Sequence, residues 1–267
     1  MLMTAADYRE SLRAYAPRVF VNGERIDCVA DAPILRPGLS AIGVTYDLAH
    51  VPAHAAVMTA TQGRSGRTVN RMLHVDESAD DLLAKLEAVR LVCKISGCAQ
   101  RYLGHDAFGG ILEGTRRADD RFGTDYHQRF VDWMHEAQDR DLAIGIAMTD
   151  AKGDRSKRPG EQVNRDAYVH IKQRRKDGLV LSGTKAIVTA APYVHELLVM
   201  PCRTHRPEDA ACAVVCAVPV DAGGVTIVAR KAGRPGQADA PYSSKYGQTT
   251  GVVMFDDVFV PWDRVFL

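Results

Sequence analysis

The sequence contains no apolar run of about 18 residues, so no segment of it reads as a membrane span. It has no CxxC pair and no GxGxxG fingerprint, which removes a redox dithiol and a dinucleotide-binding strand–turn–helix from consideration. Charge of one sign is also missing. With 34 Lys and Arg against 33 Asp and Glu, the formal net charge of +1 gives no electrostatic reason to expect nucleic acid or an acidic membrane surface. The first residues, MLMTAADYRESLRAY, lack the apolar core of a signal peptide, so cytoplasm is the expected compartment. Without a secretory signal, the six cysteines are expected to be reduced, buried structural thiols. Cys93 and Cys98 would fall on different faces of a helix, and Cys212 and Cys216 on one face of a strand. The histidines show no metal-ligand spacing, and no metal site is expected.

What is present divides into two patterns. In the first, Thr4 and Asp7 open a helix to about Tyr15, and Asn22-Gly23 sits between apolar residues as a hairpin turn. Pro33 and Pro37 predict an extended crossing, followed by broken helix over 41–58. Ser78 caps the longest periodic stretch, 79 to about 103, whose apolar face includes Leu82, Leu83, Leu86, Val89 and Val92. Further helices are predicted over 106–121 and 126–138. From Leu142 the apolar runs become short, rich in Val and Ile, and separated by turns such as Lys176-Asp177-Gly178. The expected class is α+β: a helical domain over 1–140, then an antiparallel β-barrel domain over 141–267. The apolar ending Trp262, Val265, Phe266 and Leu267 reads either as a surface that wants a partner or as a strand tucked into its own barrel.

The stretch DLAIGIAMTDAKGDRSKRP, 141–159, is a buried strand that empties into a charged, hydroxyl-rich loop. Thr149, Asp154, Arg155 and Ser156 are of the types that meet a cofactor's polar edge or phosphates, with Gly153 allowing close approach. The plainer reading of the same residues is a solvated surface loop.

Several stretches together resemble the flavin proteins that include 4-hydroxyphenylacetate 3-hydroxylase and 4-hydroxybutyryl-CoA dehydratase. They are MLMTAADYRESLR, TYDLAH at 45–50, CAQRYLGHDAF at 98–108, GTDYHQRF at 123–130, AMTDAKGDR at 147–155, DGLVLSGTKA at 177–186 and FDDVFVPWDRVFL at 255–267. The resemblance implies the acyl-CoA dehydrogenase-like plan, with the family's C-terminal helical bundle absent from this chain, either because a separate chain supplies it in a hetero-oligomer or because the sequence is a fragment. It implies FAD, contacted by Thr149, Lys152, Gly153, Asp154, Arg155 and Thr189. It also implies an iron–sulfur cluster in the dehydratase branch, held partly by two cysteines four residues apart. Here Cys98 matches the first and Tyr102 occupies the second place, so a cluster is not expected.

The resemblance places the hydroxylase's substrate-binding arginine and tyrosine at about Leu103 and Ala107, and its active-site histidine at Ile146. The polar residues that remain nearby make Arg101, Tyr102 and His105 the catalytic candidates, Tyr102 to orient or protonate a substrate and His105 as a base. The alternatives are a helix-cap role for His105 and a surface charge for Arg101. The expected function is a two-component flavin monooxygenase acting on a small phenolic molecule, with reduced FAD from a separate reductase. The competing readings are an acyl-CoA dehydratase or isomerase, and a non-catalytic subunit of a split flavoenzyme.

Overall fold

The computed structural model describes residues 2–151 and 153–267, with the backbone alone at His105. Thr4 caps helix α1, Ala5–Ser11, through a reciprocal bond with Asp7, and a 3-10 turn carries the chain on to Ala14. Strands β1, Arg18–Val21, and β2, Glu24–Ile26, close on Asn22 (φ 54°) and Gly23 (φ 86°), the paired positive angles that match the twist of a two-residue hairpin. Pro33 and Pro37 do not make the extended crossing expected of them. Both stand at helix starts, of a 3-10 turn (Pro33–Leu35) and of α2 (Arg36–Asp47), where a missing N–H costs nothing.

After α3, Ala55–Met58, a small hairpin of β3, Thr59–Thr61, and β4, Thr68–Asn70, leads to α4, Ala79–Ser96. Ser78 caps α4 as expected, but left-handed Gly97 ends it well before Leu103. Its expected apolar face is only partly covered. Leu82, Leu83 and Leu86 are exposed, whereas Lys85 is buried, bonded to the His74 carbonyl at 2.6 Å and to Asp76 at 2.7 Å. Helices α5, His105–Phe122, and α6, Tyr126–Asp139, complete the first half.

The strands that follow are β5, Ile144–Ala147; β6, His170–Arg174; β7, Gly178–Thr189; β8, Glu196–Val199; β9, Cys216–Pro219; β10, Val225–Ala229; and β11, Thr250–Pro261. They form no closed antiparallel barrel. One six-stranded sheet runs β2-β1-β10-β11-β7-β6 and one three-stranded sheet runs β5-β8-β9, and both are mixed, because β1 pairs with β10 and β5 with β8 in parallel. The strand alternation that suggested a barrel is real, but it cannot reveal that the early hairpin supplies two strands of the large sheet. Cys212 lies in a 3-10 turn, not on the strand that holds Cys216. Cys212 and Cys216 are buried thiols, and burial lifts their pKa to about 11 and about 12; Cys202 is exposed, contrary to expectation. At the end of the chain, Val265 and Phe266 are buried, with Phe266 against Phe130 and Trp133, so these two apolar residues are covered by the chain itself.

One of the buried points where the helical half meets the sheets is an ion pair. Arg101 forms an ion pair with Asp141, donates to the Leu142 carbonyl at 2.8 Å, and lies 4.0 Å above the Tyr46 ring. Asp141 also accepts from the Met3 amide at 2.9 Å. Removing one member strands a buried charge, so Arg101→Met is expected to lower unfolding free energy by about 3–5 kcal/mol. Denaturant titration measures it, and a change under about 1 kcal/mol contradicts this account.

Beside that joint, His195 is fully buried, accepting from the Ala143 amide at Nδ1 (2.8 Å) and bonded to Ser11 at Nε2 (2.8 Å). Burial, then the nearby Arg101 and Arg140 charges, lowers its pKa from 6.5 to about 3. The unfolded chain therefore binds the proton first. Stability from this group is complete above pH 6.5 and falls as pH drops toward 3, by up to about 1.4 kcal/mol per pH unit. Unfolding curves of His195→Gln should lose that slope relative to the parent.

Candidate functional site

β5 delivers the charged loop, and β7 holds it. β6 covers β7 only as far as Ser182; beyond it, Asp150 bridges to Lys185 and the Thr149 carbonyl accepts from the Ala186 amide at 2.8 Å. Lys185 is a cation inside an apolar strand, and all three of its ammonium protons are used. They go to Asp150 Oδ1 at 2.5 Å and to the Met148 and Met200 carbonyls, each at 2.9 Å. The other Asp150 oxygen accepts from Cys202 at 3.2 Å. Thr149, half-buried, is thus fixed to a rigid strand.

Gly153 leaves a space that the Gln162 side chain occupies. A Cβ there would sit 2.2 Å from Gln162 Oε1. That buried glutamine accepts from the Asp154 amide and donates to the Asp154 carbonyl, both at 2.8 Å, as a side-chain clamp on the loop. Asp154 folds back onto Ser156 (Oγ at 2.6 Å), and this hydrogen bonding lowers its pKa. Arg155 is exposed and forms no ion pair among the described residues. Lys152 lies outside the described residues.

Thr189 stands three residues beyond Ala186, about 10 Å along β7. It pairs with Thr250 on β11, and its hydroxyl accepts from Gln248 Nε2 at 3.3 Å. The Cys98 thiol lies 3.9 Å from Gln248 Oε1, so the end of α4 reaches this strand end. Ile187, between the two anchored threonines, is 61% exposed, which leaves an open strip of β7 bounded by hydrogen-bonding groups.

The three catalytic candidates separate. Arg101 is a correction: its side chain is wholly buried against Asp141, so it supports the fold and meets no ligand at the surface. Tyr102 is half-buried and packs against the cluster of Leu48, Met58 and Val92. His105 opens α5, and its side chain lies outside the described residues. Beyond them, an apolar groove of about 470 Å³ runs between α5 and the end of β5, lined in part by Gly104, Ala107, Ile146, Met148 and Met200. Ala107 and Ile146, two of the positions where the resemblance implies polar groups, are brought together there.

Sequence reasoning missed Gln162, Gln248 and the Asp150–Lys185 pair. A lysine within the apolar run LVLSGTKAIVT is the one available signal, since a cation inside a strand run calls for a buried partner. Lys185→Met should leave Asp150 unpaired and cost about 3–5 kcal/mol. It should also speed amide exchange in 147–155; unchanged exchange there would show that the pair does not hold the loop.

A family model described as "4-hydroxyphenylacetate 3-hydroxylase N terminal" matches residues 4–267. Among curated relatives, the 4-hydroxybutyryl-CoA dehydratase/vinylacetyl-CoA-Delta-isomerase of Clostridium aminobutyricum is 37% identical, covering 100% of this chain and 56% of its own. An oxygen-tolerant archaeal 4-hydroxybutyryl-CoA dehydratase from N. maritimus superposes with a TM-score of 0.92 at 36% identity, over 100% of this chain and 54% of that one. The oxygenase component of 4-hydroxyphenylacetate 3-monooxygenase, complexed with FAD and 4-hydroxyphenylacetate, superposes with a TM-score of 0.82 at 25% identity, over 99% of this chain and 55% of that one. The chain spans about half the length of the relatives it matches.

Proposed function

The chain belongs to the 4-hydroxyphenylacetate 3-hydroxylase N-terminal family, and from that premise we propose that it is the flavin-facing half of an FAD-dependent oxidoreductase. The observation that carries the reading is the loop 147–155, locked onto β7 by Asp150 and Lys185, with Arg155 exposed and without an ion pair. Thr149, Thr189 and the loop amides supply hydrogen bonds to a flavin's polar edge, and Arg155 supplies positive charge for an anionic form. Bound FAD would supply the electron transfer, and in the monooxygenase reading oxygen activation, that these side chains cannot. The chain's own part is to hold, orient and exclude water, and the apolar groove beside Met148 does the last of these.

Tyr102 is assigned to orienting or protonating substrate and His105 to acting as its base, both within two residues of the groove residue Gly104 in sequence. In the full assembly the part of the relatives that this chain does not span closes the face, and a separate reductase supplies reduced flavin. A dehydratase or isomerase acting on an acyl thioester is the second reading, favoured by the 37% identity to such an enzyme. The donor set does not fit that enzyme class's iron–sulfur cluster within this chain alone: Tyr102, four residues after Cys98, is packed into an apolar cluster, and a phenol replaces thiolate poorly.

Arg155→Ala is expected to weaken FAD binding about tenfold in the assembled protein, read by flavin fluorescence titration. Unchanged affinity would remove the loop from the site. Tyr102→Phe should lower turnover about 100-fold with flavin retained, and full activity would return Tyr102 to a packing role.

A further inference from the structure

A cavity of about 620 Å³ opens along α1, and none of the residues assigned to the flavin strip or to the apolar groove lines it. Met3, Asp7, Ser11 and Ala14 follow one another at the spacing of one helix face and form one wall. Leu142 and His195, just before β5 and β8, line it from the sheet. Asp221 Oδ2 accepts from the Ala16 amide at 3.3 Å, which places that carboxylate at the far end of the same wall. From Asp7 to Ala14 the chain rises about 12 Å along α1 and its 3-10 turn.

Four charged side chains line the cavity, and two of them are already neutralised. Arg140 pairs with Glu136 at 2.8 Å and donates to the Tyr15 hydroxyl at 2.9 Å. Asp139 pairs with Arg67 at 3.2 Å. Asp7 and Asp221 form no ion pair among the described residues. Asp7 Oδ2 accepts from the Thr4 amide and hydroxyl, which holds its carboxyl below the usual range and keeps it ionised at neutral pH. His195 adds no charge, since it is buried and neutral with Nε2 held by Ser11. Much of the remaining lining is apolar, with Leu2, Met3, Ala14 and Leu142. An apolar trough with an uncompensated carboxylate toward each end repels an anion, and it offers the ends of a neutral chain no matching charge.

We propose that this cavity is a binding site for a linear alkyl diamine. The methylenes lie on Leu2, Met3 and Leu142, one ammonium group meets Asp7 and the other meets Asp221. An ammonium suits these positions because it is a compact point charge and needs no planar fork of acceptors. The Met3 amide and the Leu142 carbonyl are both bonded to the Arg101–Asp141 pair, so a ligand resting on the two residues braces that joint. The site owes nothing to the flavin reading.

The test is calorimetric titration of the purified, assembled protein with cadaverine, pentylamine, pentanol and glutarate, which share one chain length and differ in their ends. Cadaverine is expected to bind, pentylamine to bind about fivefold more weakly, and pentanol and glutarate more weakly still. Asp221→Asn, which keeps an oxygen for the Ala16 amide, should weaken cadaverine about fivefold, and Asp7→Asn/Asp221→Asn at least tenfold. Thermal unfolding of each variant controls for folding, and cadaverine should raise the parent's midpoint. FAD affinity should be the same in Asp221→Asn as in the parent, so a failure of this site and a failure of the flavin reading are told apart. The proposal is overturned if cadaverine does not bind the parent at millimolar concentration, if Asp221→Asn binds it as the parent does, or if pentanol or glutarate binds as tightly.

Discussion

The fold turns on Arg101 and Asp141. Neither side chain is exposed to solvent, so both charges have been stripped of water, and their mutual attraction is needed to offset that desolvation. Such a pair adds little net stability over a well-packed apolar pair. What it supplies is orientation, because each remaining donor and acceptor must also be met. Here they reach the Met3 amide, the Leu142 carbonyl and the Tyr46 ring, with Arg101 Nη1 left buried and without a hydrogen-bond partner among the described residues, and the Tyr46 hydroxyl returns to the Asp141 carbonyl at 2.9 Å. Four separate parts of the chain are thereby referred to one point, immediately before β5 begins.

From that point the rest follows in sequence. β5 leaves the joint beside β8, and its end carries Met148 and Thr149 to β7, where Lys185 and Asp150 repeat the same device on a smaller scale. The first buried pair aims the strand and the second fixes the loop. Gln162 then holds the loop's far side through the space that Gly153 leaves. The open strip between Thr149 and Thr189, with Met148 and the apolar groove beside it, is the product of these restraints.

Much of this was legible in the sequence. The Thr4 and Ser78 caps, the Asn22-Gly23 turn and the later strands are local signals, and local signals are written in neighbouring residues. The charged loop after the β5 run could be singled out for the same reason. What could not be read is whatever depends on distant pairing. The β1–β2 hairpin gives no sign that it joins β10, more than 200 positions later, and the large sheet was therefore expected as a barrel of later strands alone. Arg101 looked like a free polar group beside Tyr102 because its partner, Asp141, is 40 residues away. Leu82, Leu83 and Leu86 matched a buried helical face, yet the helix turns Lys85 inward to Asp76, a choice made by tertiary charge pairing over hydrophobic period.

The most direct test of the central claim is hydrogen–deuterium exchange of the assembled protein with and without FAD, resolved by peptide. The account predicts slower exchange on flavin addition at 147–155 and 186–189, with α4 from 79 to 90 unchanged. Flavin binding that protects other segments and leaves 147–155 exchanging as before would contradict it.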